Sequence, residues 1–150
     1  KIVMERKLPE KNIIDLITGM NVKVRANIVQ IFEPRFFEVC PECSKKAINN
    51  QCDEHGSIIP DRRALISLVL DDGTESIRAV LFAEQIEKLG IKKEELSNPE
   101  LFFKKKKELL GDEAYFLVNV RNNKLFNSQE VTINGIEKLE LDHLIESLRK

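Results

Sequence analysis

The stretch Val22-Lys23-Val24-Arg25-Ala26-Asn27-Ile28 alternates apolar and polar side chains at every step, and Cys40-Pro41-Glu42-Cys43 follows a short way beyond it. Successive side chains of a strand point to opposite faces, so this segment is a half-buried β-strand. Val22, Val24 and Ala26 then face a core, and Lys23 and Arg25 face out. The strand is expected to continue through Ile31 and Phe32 towards Pro34, with Phe36-Phe37-Glu38-Val39 leading directly into the cysteines.

Further along, Ala64 to Leu70 is β-rich, Asp71-Asp72-Gly73-Thr74 is a hairpin signal, and Ser76 to Phe82 is the return strand. Ile86 and Leu89 mark a helix stopped at Gly90, and residues 91–97 are polar with scattered leucines. Asn98-Pro99-Glu100 has the form of a helix start: a capping side chain, a proline where no N–H is needed, and an acid at the positive dipole end. That helix should end at Gly111. Tyr115 to Arg121 predicts a fourth strand, Asn122-Asn123 a turn, and Val131-Thr132-Ile133 the middle of a fifth. Ile13, Ile14, Leu16 and Ile17 form a helical turn ahead of the first strand. Leu141, Leu144, Ile145 and Leu148 recur at helical spacing, which predicts an amphipathic helix over about residues 140–149. Five strands with the longest helix between the third and fourth follow the order of a five-stranded OB-fold barrel. The expected architecture is mainly β: one domain over 1–150 with an insertion at about 38–57 between strands 1 and 2. A sequence starting at Lys1 reads as part of a longer chain.

The insertion carries Cys40, Cys43, Cys52 and His55, two pairs each separated by two residues. Such knuckles aim two side chains at one ion, and three thiolates with one imidazole suit tetrahedral zinc. With all four positions filled by protein no water site is open, so one structural Zn2+ per chain is expected. A deaminase-type zinc would need an open position and a His-x-Glu element, and neither is present. The metal matters for folding, because residues 40–56 offer only Ala47 and Ile48 to a core, whereas zinc can contribute roughly 10–16 kcal/mol. Gly56 can take the turn out of the second knuckle.

Composition narrows the function. Hydrophobic residues are 42% and charged residues 33% of the 150, which excludes a disordered tail. The three cysteines are an odd number and no secretory pattern opens the chain, so an intracellular location is expected, cytoplasm or nucleoid in an archaeal cell. No apolar run approaches the roughly 20 residues of a membrane span. No nucleophile–base set, phosphate-cradling glycine loop or open metal position occurs, so neither an enzyme nor a small-molecule substrate is expected. The net charge of -1 carries no strong basic signature.

A five-stranded barrel whose first loop holds four metal ligands resembles the C-terminal DNA-binding domain of the replication protein A large subunit, in its archaeal form. The resemblance rests on the Cys40-Cys43-Cys52-His55 set and on Arg78-Ala79-Val80-Leu81-Phe82 running into a helix, and it covers the chain from about Ile13 onward. It implies single-stranded-DNA binding in replication, repair and recombination. It also implies that the helix bearing Leu141, Leu144, Ile145 and Leu148 joins other domains or subunits of such a complex.

Single strands need a basic groove and exposed aromatics or arginines on which bases stack. Alternation puts Lys23 and Arg25 outward. It does the same for Arg78 if Ala79 and Leu81 face in, and for Asn119 and Arg121 if Phe116, Val118 and Val120 face in. Lys23, Arg25, Arg78 and Arg121 are expected to share a barrel face. Arg62 and Arg63 are candidate phosphate clamps or solvated side chains. Phe37, matching a family aromatic position, and Phe126, near the loop joining strands 4 and 5, are candidate base platforms. Only one of Phe36 and Phe37 should point outward. Phe32, Phe82, Phe102 and Phe116 read as core, Lys104 to Lys107 as a solvated helix face, and His143 as a surface histidine. The alternative reading is a protein-interaction module with marginal nucleic-acid binding, and a third is RNA binding by a related barrel.

Overall fold

The computed structural model describes residues 8–125 and 128–138. Its strands are β1 (Asn21–Ile31), β2 (Arg35–Val39), β3 (Gln51–Cys52), β4 (Gly56–Ser57), β5 (Asp61–Asp71), β6 (Ser76–Phe82), β7 (Glu113–Asn123) and β8 (Ser128–Lys138). Between β6 and β7 lie the helices α1 (Ala83–Leu89), α2 (Lys93–Ser97) and α3 (Pro99–Leu109).

Strands β1, β7, β8, β6 and β5 pair in that order, and β5 pairs back onto β1. All these pairings are antiparallel except the parallel β6–β8 pair. This is the OB-fold barrel that the strand order predicts, with its insertion between the first and second barrel strands, β1 and β5. Closure depends on β1 serving two neighbours: Asn21 to Asn27 pair with β7, and Asn27 to Ile31 pair with β5. A bulge between Ile28 and Gln30 bends the strand from one partner to the other and leaves Val29 half exposed.

The alternation is realised as core. Val22, Val24, Ala26 and Ile28 of β1 meet Ile66, Leu68 and Leu70 of β5, Ala79 and Leu81 of β6, and Phe116, Val118 and Val120 of β7. Ile86 of α1 and Phe102 and Leu109 of α3 join the same cluster. Asn98 caps α3 as its sequence predicts, its Oδ1 accepting from the N–H of Glu100 at 3.0 Å and of Leu101 at 3.3 Å. Gly90 closes α1 at φ +99°, a left-handed value that a side chain would strain.

Several expectations are corrected. Asn122 and Asn123 extend β7, and the turn falls at Lys124 and Leu125. Residues 91–97 contain the short α2, where Glu95 Oε1 accepts the Lys92 N–H at 2.7 Å. The turn at Ile13 is a 3-10 turn of three residues, Ile13–Asp15, with Ile13 buried and Ile14 exposed. Phe126, His143 and the expected helix with Leu141, Leu144, Ile145 and Leu148 lie outside the described residues. Among the described residues no helix is long and apolar enough to cross a membrane.

Candidate metal centre and nucleic-acid face

The metal-ligand candidates converge. The first knuckle turns directly off β2, where the Cys40 N–H donates to Lys45 O and the Ser44 N–H to Cys40 O, both at 2.8 Å. The second is the β3–β4 hairpin, in which Cys52 pairs with Gly56 at φ +68°. Lys45 Nζ and Glu54 Oε1 join the two knuckles at 2.8 Å, and the Ala47 N–H donates to Glu38 O to seat the insertion on β2. One donor atom from each of Cys40, Cys43, Cys52 and His55 lies within 4.8 Å of the others, an arrangement able to hold a metal ion. Cys40 and Cys52 are buried, Cys43 half-buried and His55 exposed at the rim.

The electrostatics favour a ligand form at Cys52. The His55 ring brings its thiol down to about 6, helped by the Glu54 amide, so Cys52 is mainly thiolate at neutral pH. Cys52 reciprocally raises His55. Cys43 is held up: the Lys45 amide favours its thiolate, but burial and the neighbouring Cys52 and Cys40 sulfurs outweigh it. Ile48, offered to a core by its sequence, is instead 64% exposed, and only Ala47 is buried.

The nucleic-acid candidates divide between two regions. Arg78 projects from β6, its guanidinium carbon 4.6 Å from the centre of the Phe32 ring. Phe37 packs edge-on against Phe82, ring centres 6.4 Å apart and planes at 86°. Register puts the pair on one face, because Phe37 stands opposite Arg63, two residues from the Leu65 that stands opposite Phe82. Arg63 reaches Ser44 Oγ at 3.4 Å and Asp61 at 3.5 Å, tying this face to the first knuckle. Arg62, one residue earlier, points to the other side and lies 4.0 Å from the centre of the Phe36 ring.

Lys23 and Arg25 are not strand neighbours of Arg78, because β1 and β6 do not pair. They lie on the part of β1 paired with β7, and each meets a carboxylate: Lys23 with Glu137 at 3.9 Å, Arg25 with Glu113 at 2.9 Å. The Glu113 hydrogen bond also raises the Arg25 pKa. Lys23 further lies 4.8 Å from the centre of the Tyr115 ring. Asn119 donates to Asn21 Oδ1 at 2.9 Å. Arg121 does stand in register with Arg78, but across buried Glu130, which holds it at 2.7 Å.

Three aromatics escaped the sequence reading. Phe82 is 42% exposed rather than core. Its signal was present: Ala79 and Leu81 inward require 78, 80 and 82 outward. Phe32 is displaced by the β1 bulge, which inserts Val29 and moves Phe32 to the opposite parity. Phe36 has inward parity opposite Ala64, but β1 pairs with β5 only from Leu68 onward, so this end is uncovered and the ring stays 37% exposed. Both neighbouring phenylalanines are therefore accessible. The reading of Phe102 and Phe116 as core holds. In the lysine run, Lys105 meets Glu95 and Glu108 while Lys107 covers Phe103, as on a solvated face.

No protein-family model matches the sequence, and no curated protein does. Solved structures share the fold. The second OB-fold domain of replication protein A from Methanococcus maripaludis matches with a TM-score of 0.52 at 20% identity, over 87% of this chain and 95% of that one. Yeast RPA bound to ssDNA gives 0.64 at 18% identity, over 93% of this chain and 89% of that one. A replication protein A heterotrimer bound to ssDNA gives 0.70 at 17% identity over 95% of this chain, which spans 40% of the matched chain. The OB-fold of replication protein A is thus the fold of this chain.

Proposed function

We propose that this chain is a single-stranded-DNA-binding module of the replication protein A kind, with a structural zinc ion held by Cys40, Cys43, Cys52 and His55. The observation that carries the reading is the outer face of β2, β5 and β6, where the Arg78–Phe32 stack and the Phe37–Phe82 pair both stand accessible. Arg78 and Phe82 are four residue steps apart along β6, or about 13 Å at strand rise. Each base stacked on such a platform is worth roughly 1–3 kcal/mol. Two of the matched structures have single-stranded DNA bound. Replication, repair and recombination are the processes we propose for it, within the cytoplasm or nucleoid, as a binding module without catalysis.

Zinc is supported by three of the six donor–donor edge lengths, all six lying within 4.8 Å. Tetrahedral zinc with Zn–S near 2.3 Å and Zn–N near 2.0–2.1 Å sets ligand atoms about 3.8 Å apart for two sulfurs and about 3.6 Å for sulfur and nitrogen. The Cys43–Cys52 sulfurs are 3.5 Å apart, and His55 Nδ1 is 3.6 Å from both Cys40 and Cys52 Sγ. Bound there, zinc would cross-link the two knuckles and hold the insertion on β2.

A second reading, a protein-interaction module, draws on the carboxylates that already engage Lys23, Arg25, Arg63 and Arg121. Fluorescence anisotropy with labelled oligo-dT at two salt concentrations separates them. The single-strand reading expects binding that weakens as salt displaces the released counterions' contribution. Absence of binding at low salt overturns it in favour of the interaction module.

A further inference from the structure

At the end of β2 that β1 leaves uncovered, a cleft of about 800 Å3 opens between β2, the start of β5 and the α1–α2 corner. Its volume lies within the roughly 300–1,000 Å3 of sites that enclose a small ligand. We propose that this cleft is a separate nucleotide subsite, taking one base of a single strand that has already crossed β5 and β6. The inference rests on the single-strand reading above and extends it to residues outside that face.

Three observations support a nucleotide as the occupant. The wall is a ready stacking surface: the exposed Phe36 ring carries the Arg62 guanidinium 4.0 Å from its centre. Unpaired bases stack on aromatic rings and on arginine planes alike. The floor is apolar, formed by Ala64, Ile86 and Ile91, all buried, which suits the face of a base rather than a free phosphate.

The rim is charged for a backbone. Lys92 and Lys93 line it, both exposed, and among the described residues neither is in an ion pair. Glu87 and Glu94 also line the cleft, so its attraction is not that of a simple anion trap, and stacking must supply most of the binding. Arg63 and Asp61, the remaining charged pair, neutralise each other at 3.5 Å.

The cleft is continuous with the proposed binding face. Ala83 in its wall follows Phe82, and Arg63 in its wall stands opposite Phe37. A strand stacked at the Phe37–Phe82 pair reaches the cleft by passing over the Phe82–Ala83 end of β6, since Phe36 and Arg62 face the opposite side of the sheet from that pair, whereas the Arg78–Phe32 stack lies the other way along β6.

The test is oligo-dT graded in length across about 4 to 16 nucleotides, the range of site sizes for one OB-fold. On the wild-type chain affinity should rise with length until the cleft is filled. Phe36→Ala should remove the last increment, weakening the longest oligomers about tenfold while leaving the shortest unchanged. Lys92→Ala with Lys93→Ala should act on the same oligomers, and more at low salt. Arg78→Ala should instead weaken every length. If the wild-type chain binds DNA and both cleft variants keep its full dependence on length, the cleft proposal is overturned and the single-strand reading stands. If no length binds the wild-type chain, the reading beneath it fails and takes the cleft with it.

Discussion

Arg78 of β6 lies over the ring of Phe32, 4.6 Å from its centre, and the contact exists because the β1 bulge turns Phe32 out of the barrel. A guanidinium held over a ring has little freedom left for a stacking base to take from it. Arg78→Ala should raise the Kd for oligo-dT about tenfold or more. It should also flatten the salt dependence by about 0.7 in the slope of log K against log salt, one phosphate's share for a single strand. Arg78→Lys keeps the charge but not the plane, so it should restore the slope and little of the affinity. Equal affinity of Arg78→Ala and wild type across a salt titration would count against this face.

The bulge also explains how far the sequence could be read. Alternation is a reliable guide to which residues face the core, and Val24, Leu68, Ala79 and Phe116 all follow it. It fails after an inserted residue, since a strand of period two carries the wrong parity onward until its end. The parity shift leaves a trace in Ile28-Val29-Gln30-Ile31, where unbroken alternation would turn polar Gln30 inward and Ile31 outward, but nothing there marks which residue is inserted. Phe36 failed for a different reason: parity says which side a ring takes, but not whether another strand covers that side. The Cys/His set was legible because ligand spacing is a local property. The carboxylates facing Lys23 and Arg25 were not, since Glu137 and Glu113 come from strands far along the chain.

The Cys/His cluster lies outside the barrel core: Cys40, Ala47 and Cys52 are buried, yet none belongs to the cluster of residues that fills the barrel. Removing the metal should therefore melt the insertion locally. Elemental analysis should find one zinc per chain in the wild type and none in Cys43→Ser. Hydrogen exchange should accelerate at the amides of residues 40–57 in that variant, while those of β1, β7 and β8 stay protected. Acid should act like the substitution, because the cysteine thiols and His55 must be deprotonated to bind metal and take up protons again as pH falls. A Cys43→Ser protein with a full zinc complement would contradict the ligand assignment.

Asp72 ties the start of the chain to the β5–β6 hairpin. Its Oδ2 accepts the Ile13 N–H at 2.8 Å, and its Oδ1 accepts the Thr74 N–H at 2.9 Å and the Thr74 hydroxyl at 2.6 Å. Burial works against the charge, but the Thr74, Ile13 and Glu75 donors outweigh it and lower the Asp72 pKa. A carboxylate with a lowered folded value contributes stability above the ordinary aspartate range, and that stability is lost as pH falls through the folded value. Asp72→Ala should cost about 1.5–3 kcal/mol at neutral pH, as for hydrogen bonds to a charged group. Urea unfolding from pH 7 to pH 3 should show the difference between the two proteins shrinking towards the acid end. A constant difference would mean that the hydrogen bonds act without the charge.

Glu130 is a buried carboxylate between two arginine-bearing strands, accepting from Arg121 at 2.7 Å and from Asn123 Nδ2 at 3.0 Å, with Arg78 opposite it on β6. Its charge fixes Arg121 and reduces the positive field beside the Arg78–Phe32 stack. Glu130→Gln removes that charge and leaves one acceptor oxygen, so its amide N–H must face either the Arg121 or the Asn123 donor, and stability should fall by about 1–3 kcal/mol. Freed from its partner, Arg121 becomes available to a phosphate one strand away from Arg78. Oligo-dT affinity should then rise severalfold at low salt, with the gain fading as ionic strength screens it. Adding Arg121→Ala to Glu130→Gln should abolish the gain while leaving the stability loss in place. A gain that survives in the double variant would assign it to the lost charge alone rather than to Arg121.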